Sequence, residues 1–458
     1  MSNQASRREF LKRASALSLA GSAAPFALNL AALGEAAAAS SDATATGYKA
    51  IVCVFLYGGN DYANTVVPYD QPNYDLYKAQ RVAIATPREQ LVALSPTLGG
   101  GRQYGLAPQL APMLPMFDAG QMAVMLNIGT LIEPTSKTQY LAKSVRLPPK
   151  LFSHNDQQSI WQSSLPEGST SGWGGRMGDV FAAGNGNATF TCVSVAGNAV
   201  YLSGNSAVQY QVTPNGSVAL TGVTAPLFGS TACSDALRSL VTAPRPHLYE
   251  AEHTRVMTRS IDADRLLTGA LPDLTTVFPA TGLGAQLRMV ARMIAARNTL
   301  LAKRQVFFVS LGGFDTHDNL LAEHPGLLGE VAGALAAFNV AMNTELNVAN
   351  QVTTFTASDF GRTLTTDGDG SDHGWGSMHF VMGGAVKGGT LYGTPPAVAS
   401  DGPNDVGQGR LLPGIAVDQF GGTLGTWFGV NERDLQTVMP NLRNFPAAAR
   451  DMNFMRPG

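Results

Sequence analysis

The sequence predicts an α/β protein with a mostly parallel central sheet. Long apolar, β-branched runs recur along the chain, as in strands that are buried on both faces of a sheet. Amphipathic helical patterns separate the later runs. Several runs end in glycine followed by an acidic residue or a histidine. The alternation of strand and helix implies right-handed crossover connections, and therefore parallel strands.

The chain begins with the three parts of an export signal. Arg7 and Arg8 precede a weakly apolar, alanine-rich run over 14–33, and small residues at 36–39 offer a cleavage site. The weak hydrophobicity favours the twin-arginine route over the general secretory route, and it argues against a permanent membrane anchor. We therefore expect residues 1–39 to be removed and the mature protein to be periplasmic or extracellular.

Charge narrows the classes of partner. The formal net charge is −2, and residues 1–39 carry four basic and two acidic side chains, so the mature chain lies at about −4. A mildly acidic chain without a basic stripe is not expected to bind nucleic acid.

The mature chain, 48–458, is predicted to be one large α/β domain. Buried strands are predicted at 50–57, 122–128, 305–311 and 352–357, and helices at 287–303, 327–346 and 424–428. The segment 184–241 is rich in Gly, Ser, Thr, Asn and Val with short alternating runs, which predicts a β-rich insertion or cap.

Three cysteines are present. Cys53 lies in an apolar run and is predicted to be a buried thiol. Cys192 and Cys233 are the better candidates for a disulfide in an oxidising compartment.

Polar side chains follow the ends of the predicted strands, where ligands bind in open parallel sheets. In chain order these candidates are Asp61, Ser153, His154, Asp315, His317, Asp359, Arg362, Asp372, His373 and His379. A mixed Asp/His set suits zinc, manganese or another borderline divalent cation. One or two ions are expected, and two would clamp a phosphate- or sulfate-like group and activate its attacker.

Each candidate also has a structural interpretation. A lone Asp after Gly-Gly is often a turn or helix cap. Arg362 either pairs with Asp359 or faces an anionic substrate. His247 and His253 lie outside any such setting and are interpreted as structural or surface residues. The combination of candidates at several strand ends favours a metal site.

Five motifs together resemble the family of twin-arginine-exported bacterial proteins known as domain of unknown function 1501 (DUF1501). They are Gly-Gly-Asn-Asp at 58–61, Phe-Ser-His at 152–154 with Asp156, Gln157 and Trp161, Gly-Phe-Asp-Thr-His at 313–317, Ser-Asp-Phe-Gly-Arg-Thr at 358–363 and Asp-His-Gly-Trp-Gly at 372–376. The resemblance runs from about residue 48 to about 400 or beyond. The family looks like a remote branch of the alkaline phosphatase and sulfatase superfamily, which implies an alkaline-phosphatase-like, three-layer α/β/α sandwich.

This resemblance implies roles for single residues. Asp61 matches the first ligand of the superfamily, and Asp315 with His317 matches a later pair. Phe360 stands where a histidine ligand is expected, which removes one ligand of a second ion unless His373 or His379 supplies the nitrogen. Ser153 is the nearest candidate for the nucleophile, and Thr65 is a weaker one.

Two functions are compatible with these features. The first is a metal-dependent hydrolase of a phosphate or sulfate ester, with Ser153, His154 and Arg362 as catalytic residues and a small anionic substrate. The second is a non-catalytic exported protein that binds metal or takes part in an envelope assembly. Members of the family are often encoded beside a second exported family, which implies a partner from that family.

Overall fold

The computed structural model describes residues 47–218 and 220–457, so the predicted export signal at 1–39 lies outside the described residues. The strands in chain order are β1 (Lys49–Leu56), β2 (Val66–Pro68), β3 (Val92–Ala93), β4 (Tyr104–Leu106), β5 (Met122–Gly129), β6 (Cys192–Ser194), β7 (Tyr210–Thr213), β8 (Gly216–Ser217), β9 (Arg304–Leu311), β10 (Val352–Ser358), β11 (Ser377–Met382), β12 (Thr390–Tyr392) and β13 (Ile415–Ala416). The helices are α1 (Gln71–Arg81), α2 (Leu114–Asp118), α3 (Lys137–Ala142), α4 (His154–Ser163), α5 (Trp173–Phe181), α6 (Thr221–Thr224), α7 (Thr231–Thr242), α8 (Leu248–Ala270), α9 (Gly282–Ala295), α10 (Leu320–Val340), α11 (Val417–Phe428), α12 (Glu432–Val438) and α13 (Ala447–Arg450).

One large sheet forms the centre, with strand order β12-β5-β11-β10-β1-β9-β6-β7-β8 and with β13 also paired to β5. β1 pairs in parallel with both β10 and β9, whereas β11 is antiparallel to β10 and to β5. β8 is antiparallel to β7. All the other strands of this sheet therefore run in one direction, and the carboxyl ends of β1, β5, β9 and β10 meet at one edge. A small antiparallel sheet, β2-β4-β3, lies outside it.

Helices cover both faces of the large sheet. Along β1, Val52 and Val54 belong to one apolar core, and Cys53 and Phe55 belong to another. The first core also contains residues of α9 and α10, and the second contains residues of α4, α5 and α11. Because side chains alternate between the faces of a strand, the two cores lie on opposite faces. The predicted α/β class with a mostly parallel sheet and three layers is therefore confirmed.

The predicted strands match the structure more closely than the predicted helices do. The four predicted strands correspond to β1, β5, β9 and β10 within a residue at either end. The helix predicted at 287–303 begins earlier and ends at Ala295, before hydrogen-bonded turns that precede β9. The helix predicted to follow Pro325 instead begins at Leu320 and contains this proline.

The segment 184–241 does not form a separate β-rich cap. Its described residues include β6, β7 and β8, which extend the large sheet beyond β9, and α6 and α7. The run at 199–202, which alternates in sequence, forms a 3-10 turn.

The expected disulfide is absent from the described structure. Cys53, Cys192 and Cys233 are free thiols. Cys192 is buried in β6, whereas Cys233 is exposed at the start of α7. The prediction of a buried thiol at Cys53 is confirmed.

The described residues include one helical stretch, 320–345, that is long and apolar enough to cross a membrane. Half of its most apolar window is buried inside the protein, where α10 packs against α9. Helices in the core of proteins without membrane spans have the same length and composition.

Candidate metal centre

The site forms at the edge where the parallel strands end. Asp315 and His317 lie in the loop after β9, and Asp359 directly follows β10. His373 precedes β11, which begins at this edge because it runs antiparallel to its neighbours. A backbone bridge between Arg362 and His373 folds the 363–372 loop back onto the edge. His154 begins α4, in the connection that follows β5.

Three imidazoles and one carboxylate converge there. The Nε2 atoms of His317 and His373 are 2.8 Å apart, and each lies 3.1 Å from Oδ1 of Asp315. Nε2 of His154 lies 3.1 Å from Nε2 of His373 and 3.4 Å from Oδ2 of Asp315. We call His154, Asp315, His317 and His373 the His/Asp cluster.

The Nδ1 atoms of the imidazoles face oxygen atoms, so the Nε2 atoms are directed into the cluster. Nδ1 of His373 donates to the carbonyl of Phe152 at 2.8 Å, and Nδ1 of His154 lies 2.7 Å from Oδ2 of Asp359. Nδ1 of His317 faces carboxylates of Asp367 and Asp372 at 3.8 and 4.0 Å. For His154 and His373 this is the arrangement of metal-binding histidines, whose second ring nitrogen is held by a carboxylate or a carbonyl.

The donor set fits a divalent metal ion. Nitrogen and oxygen ligands about 2.0–2.2 Å from a zinc ion in tetrahedral geometry are separated by about 3.3 Å, close to the distances within the cluster. Imidazole lone pairs and a carboxylate at these distances repel one another unless a shared proton or a metal cation lies between them. The side chains of His154, Asp315, His317 and His373 are 28%, 45%, 40% and 21% exposed, so the cluster is open to solvent.

The surroundings of the cluster shift the pKa values of three of its residues. The hydrogen bond to Asp359 raises the pKa of His154, whereas burial lowers the pKa of His373. Burial opposes ionisation of Asp315, but the hydrogen bond and charge of Arg362 outweigh it and lower the pKa of this carboxyl group. Asp315 is therefore charged at neutral pH, as a metal ligand has to be.

An aromatic ring lies beside two of the imidazoles. The Phe360 ring is buried, with its centre 4.9 Å from that of His154 and 4.8 Å from that of His373. Phe360, which stands where a histidine was expected, thus packs against His154 and His373 and supplies no ligand atom.

Gly58 brings another segment close to the site. At φ +114°, it lets the chain after β1 approach so closely that a Cβ there would collide with the backbone nitrogen of Asp315.

The structure places Asp61 outside the cluster. Its carboxylate is buried, forms an ion pair with Arg81, accepts from Ser371 Oγ at 2.7 Å and caps the turn at Asn64. Burial raises the pKa of Asp61, but the charge of Arg81 outweighs it and the pKa is lowered. Both oxygens of this predicted ligand therefore have internal partners.

Asp359, another predicted ligand, orients a histidine. Its Oδ2 accepts from Nε2 of Gln158 at 2.7 Å and from the backbone N–H of Gly58 at 3.2 Å, besides its contact with His154. Oδ1 is buried and has no hydrogen-bond partner among the described residues. His154 and Gln158 reach the same oxygen because residues four apart lie on one face of α4.

Arg362 neither pairs with Asp359 nor faces the solvent. It is fully buried, and Nη1 donates to Asp315 Oδ1 at 2.5 Å and to the Gly58 carbonyl at 3.3 Å. Nη2 donates to the Ser371 carbonyl. This side chain offsets the charge of Asp315 through the same Oδ1 that faces His317 and His373. Its buried position gives no support to the direct contact with an anionic substrate that the sequence predicted.

Asp372 lies at the rim of the cluster. Its Oδ1 accepts from the backbone N–H of His373 at 2.7 Å, and its Oδ2 accepts from Nη2 of Arg410 at 3.1 Å. Arg410 also donates to the carbonyl of His373 at 2.9 Å and stacks over the ring of Phe152. It is a partly exposed cation next to the cluster.

His379 lies in the protein core, away from the other predicted ligands. It is the third residue of β11, and its side chain packs at the edge of Trp161 in the second core. Burial lowers its pKa to about 3, and Nε2 has no partner within the described structure. The antiparallel direction of β11 carries position 379 away from the edge at which His373 lies.

Ser153 is next to His154 in sequence and occupies the position before α4, where its side chain makes no capping hydrogen bond to the helix. Its hydroxyl donates to Oδ2 of Asp156 at 3.1 Å, and Nζ of Lys150 lies 3.5 Å from the same oxygen. The preceding Phe152 has φ +71°, a strained conformation for a bulky residue. Thr65, the weaker candidate, is buried and donates to the carbonyl of Asp61 at 2.6 Å.

Sequence reasoning missed three contributors to the site, namely Gln158, Arg410 and the carbonyl of Phe152. It also predicted a catalytic role for His154, whose Nε2 lies within the His/Asp cluster. Gln158 has a detectable signal, because it lies one helical turn after His154. Arg410 and the carbonyl of Phe152 have none, since only the tertiary fold brings these distant segments to His373.

Comparison with known proteins gives a family and distant structural similarities. The model of a family described as "Protein of unknown function (DUF1501)" matches residues 48–436. No curated protein matches the chain. Among solved structures, Ps i-CgsB has a TM-score of 0.36 and 9% identity, covering 87% of this chain and 77% of that chain. The lipoteichoic acid synthase LtaP from Listeria monocytogenes has a TM-score of 0.34 and 8% identity, with coverages of 92% and 82%. The soluble domain of lipooligosaccharide phosphoethanolamine transferase A from Neisseria meningitidis has a TM-score of 0.34 and 9% identity, with coverages of 91% and 96%.

Proposed function

This chain belongs to the DUF1501 family, as its motifs indicate, and we propose that it is an exported, metal-dependent hydrolase of a phosphate or sulfate ester. One observation carries the proposal. Three imidazole Nε2 atoms and the Asp315 carboxylate converge at a solvent-open edge of a parallel sheet. Catalytic metal sites differ from structural ones in keeping a position accessible to water or substrate.

The cluster is suited to one ion. Two ligand triads are present, His154 with Asp315 and His373, and His317 with Asp372 and His373. Both need His373, whose Nδ1 is already bonded to a carbonyl, so its Nε2 is available for a single ion. We therefore propose that His154, Asp315, His317 and His373 hold one zinc or manganese ion.

A buried arginine occupies a carboxylate that a second ion would need. Asp61 is paired with Arg81, and both side chains are fully buried. The guanidinium supplies a fixed positive charge that offsets this carboxylate. The pair, together with Phe360 in place of a ligand, favours one ion over two.

Protein side chains have distinct roles in the proposed reaction. A divalent ion held by the His/Asp cluster would polarise the ester and would lower the pKa of an attacking hydroxyl group or water. Ser153 is the proposed nucleophile, and Asp156 is positioned to accept its proton. Asp359 keeps His154 oriented, and Arg410, rather than Arg362, is the proposed contact for a substrate anion.

Metal content and hydrolysis, measured on the same preparations, test the proposal. We expect about one equivalent of zinc or manganese in the wild-type protein, with turnover of an aryl phosphate or an aryl sulfate. His373→Asn should lose both metal and turnover, whereas Ser153→Ala should keep the metal and lose at least 100-fold in turnover. Asp318→Asn, an exposed neighbour of the His/Asp cluster, is the matched control and should change neither. Bound metal without turnover of either ester would contradict hydrolysis.

A second candidate is an exported metal-binding protein without catalytic activity. One observation favours it: the Ser153 hydroxyl is hydrogen-bonded to Asp156 and makes no side-chain contact with the ligands among the described residues. This candidate predicts that Ser153→Ala leaves all properties unchanged, while His373→Asn removes the metal.

Export by the twin-arginine route also belongs to the proposal. This route carries folded proteins, and a metal centre built from distant loops exists only after folding. We expect Arg7→Lys with Arg8→Lys to retain the protein in the cytoplasm, as fractionation would reveal. Equal metal loading after export through the general secretory route would contradict this link.

A further inference from the structure

A cavity lies next to α8, outside the His/Asp cluster. It has a volume of about 680 Å³, and its walls are one face of α8, the chain entering β6 and the end of α7 with the following loop. β6 is parallel to β9, and Asn187 and Thr189 in the cavity wall precede β6. The cavity therefore lies towards the amino ends of the strands, whereas the His/Asp cluster lies at their carboxyl ends.

The face of α8 that lines the cavity carries mainly polar side chains, whereas the inner face of a helix packed on a core is apolar. Thr254, Arg255, Thr258, Arg259 and Asp262 recur at helical spacing along this wall. Three of the 23 residues of α8 are buried, at positions 261, 263 and 267. A helix that covers a core carries an apolar stripe on its inner face. This face instead presents hydroxyl and guanidinium groups to an open volume.

Positive charge is concentrated in the cavity wall. Arg255 and Arg259 are one helical turn apart, a spacing at which like charges repel, and Arg245 lies in the wall formed by the loop after α7. Arg255 binds Glu252 at 2.9 Å, and Arg245 donates to the carbonyl of Leu240 at 3.3 Å. Arg259 forms no ion pair with any described residue.

The remaining polar groups of the cavity wall favour a ligand with hydroxyl groups. Thr258 and Thr189 offer hydroxyls that both donate and accept, and Asp262 offers acceptors. Ala263 and Leu266 add an apolar surface. The volume falls within the roughly 300–1,000 Å³ of typical small-molecule sites.

We propose that this cavity binds an acidic saccharide, a sugar that carries a sulfate, phosphate or carboxylate group. Guanidinium groups bind such anions through two parallel hydrogen bonds, while threonine hydroxyls and Asp262 match the sugar hydroxyls. The inference does not depend on the metal centre, because the two sites share no residue.

Calorimetric titration of the whole chain with a sulfated disaccharide tests this site. We expect binding in the presence of EDTA as well as with added zinc, and weaker binding at high salt. Arg255→Gln combined with Arg259→Gln should lower the affinity at least tenfold. Arg265→Gln, an exposed change on α8 outside the cavity wall, is the matched control and should leave the affinity unchanged.

Two further ligands distinguish the contribution of the sugar to binding from that of its anionic group. A neutral disaccharide and inorganic sulfate should each bind at least tenfold more weakly than the sulfated disaccharide. No binding of the sulfated disaccharide at millimolar concentration, equal binding of either partial probe, or equal weakening by Arg265→Gln would overturn the proposal. Loss of binding with EDTA would also overturn it, because it would assign the saccharide to the metal centre. Thermal melts of the exposed arginine variants should match the wild type and exclude misfolding.

Discussion

Asp61→Asn separates a buried structural ion pair from a metal ligand. The substitution keeps the shape of the side chain and removes the charge that faces Arg81 in a fully buried position. Removing one partner of a buried ion pair costs about 3–5 kcal/mol, because the remaining charge stays desolvated. Asn retains one oxygen, which can still accept from the Asn64 N–H, and it turns an amide N–H towards the Ser371 hydroxyl, which can accept it. We therefore expect a loss of about 3 kcal/mol, at the lower end of this range.

Urea unfolding and metal analysis of the same samples give the answer. Asp61→Asn should lower the free energy of unfolding and leave about one metal equivalent in the folded protein. Asp315→Asn, at a partly exposed cluster residue, should lose the metal. Asp318→Asn is the matched exposed control and should change neither. If Asp61→Asn loses a metal equivalent while stability is unchanged, the assignment of Asp61 to the ion pair is wrong.

Three further predictions concern the buried side chains of Asp359, His379 and Asp418. Asp359→Asn should lower the affinity for zinc about 10–100-fold by calorimetry, because His154 loses the carboxylate that orients it; an unchanged affinity would contradict this role. Burial lowers the pKa of His379 to about 3, so the unfolded chain binds the extra proton below pH 6.5. Stability is therefore full above that pH and falls by up to about 4 kcal/mol as the pH decreases towards 3. His379→Leu should reduce this slope in urea unfolding at pH 7 and pH 4.5, and a parallel slope would refute the cause. Burial raises the pKa of Asp418 to about 6, so stability is present at low pH and is lost as the pH rises through 6. Asp418→Asn should stabilise the protein by up to about 3 kcal/mol at pH 8 and little at pH 4.5, and the opposite order would exclude burial as the cause.

The buried strands could be predicted because their signal is local. β1, β5, β9 and β10 have continuous apolar runs, since both faces of each strand are covered. The composition of the segment 184–241 predicted a separate β-rich insertion or cap. Its Gly and Ser content indicates turns, but it does not indicate which strand of the protein its own strands pair with. β6 pairs with β9, more than 100 residues away, and no local pattern contains that contact.

The position of the site in the fold could be predicted from the sequence, but the roles of its residues could be predicted only in part. The proximity of Asp315, His317 and His373 could be predicted because strand ends of a parallel sheet converge. Asp61 occupies an equivalent position after β1, but it does not join the cluster. It instead forms an ion pair with Arg81, the last residue of α1. Pairing of this kind depends on the tertiary contact of side chains 20 residues apart, which neither spacing nor composition records.

The direction of a single strand explains the difference between His373 and His379. β11 enters the sheet at the edge where β10 ends, so residues just before it join the loops of the neighbouring strands. His373 therefore faces Asp315, whereas His379, six residues later, is enclosed by Trp161 and the second core. An all-parallel sheet would start β11 at the opposite edge and bring a residue that precedes it away from the His/Asp cluster. The antiparallel insertion of β11 between β10 and β5 is thus what allows His373 to join Asp315 and His317, which follow a parallel strand.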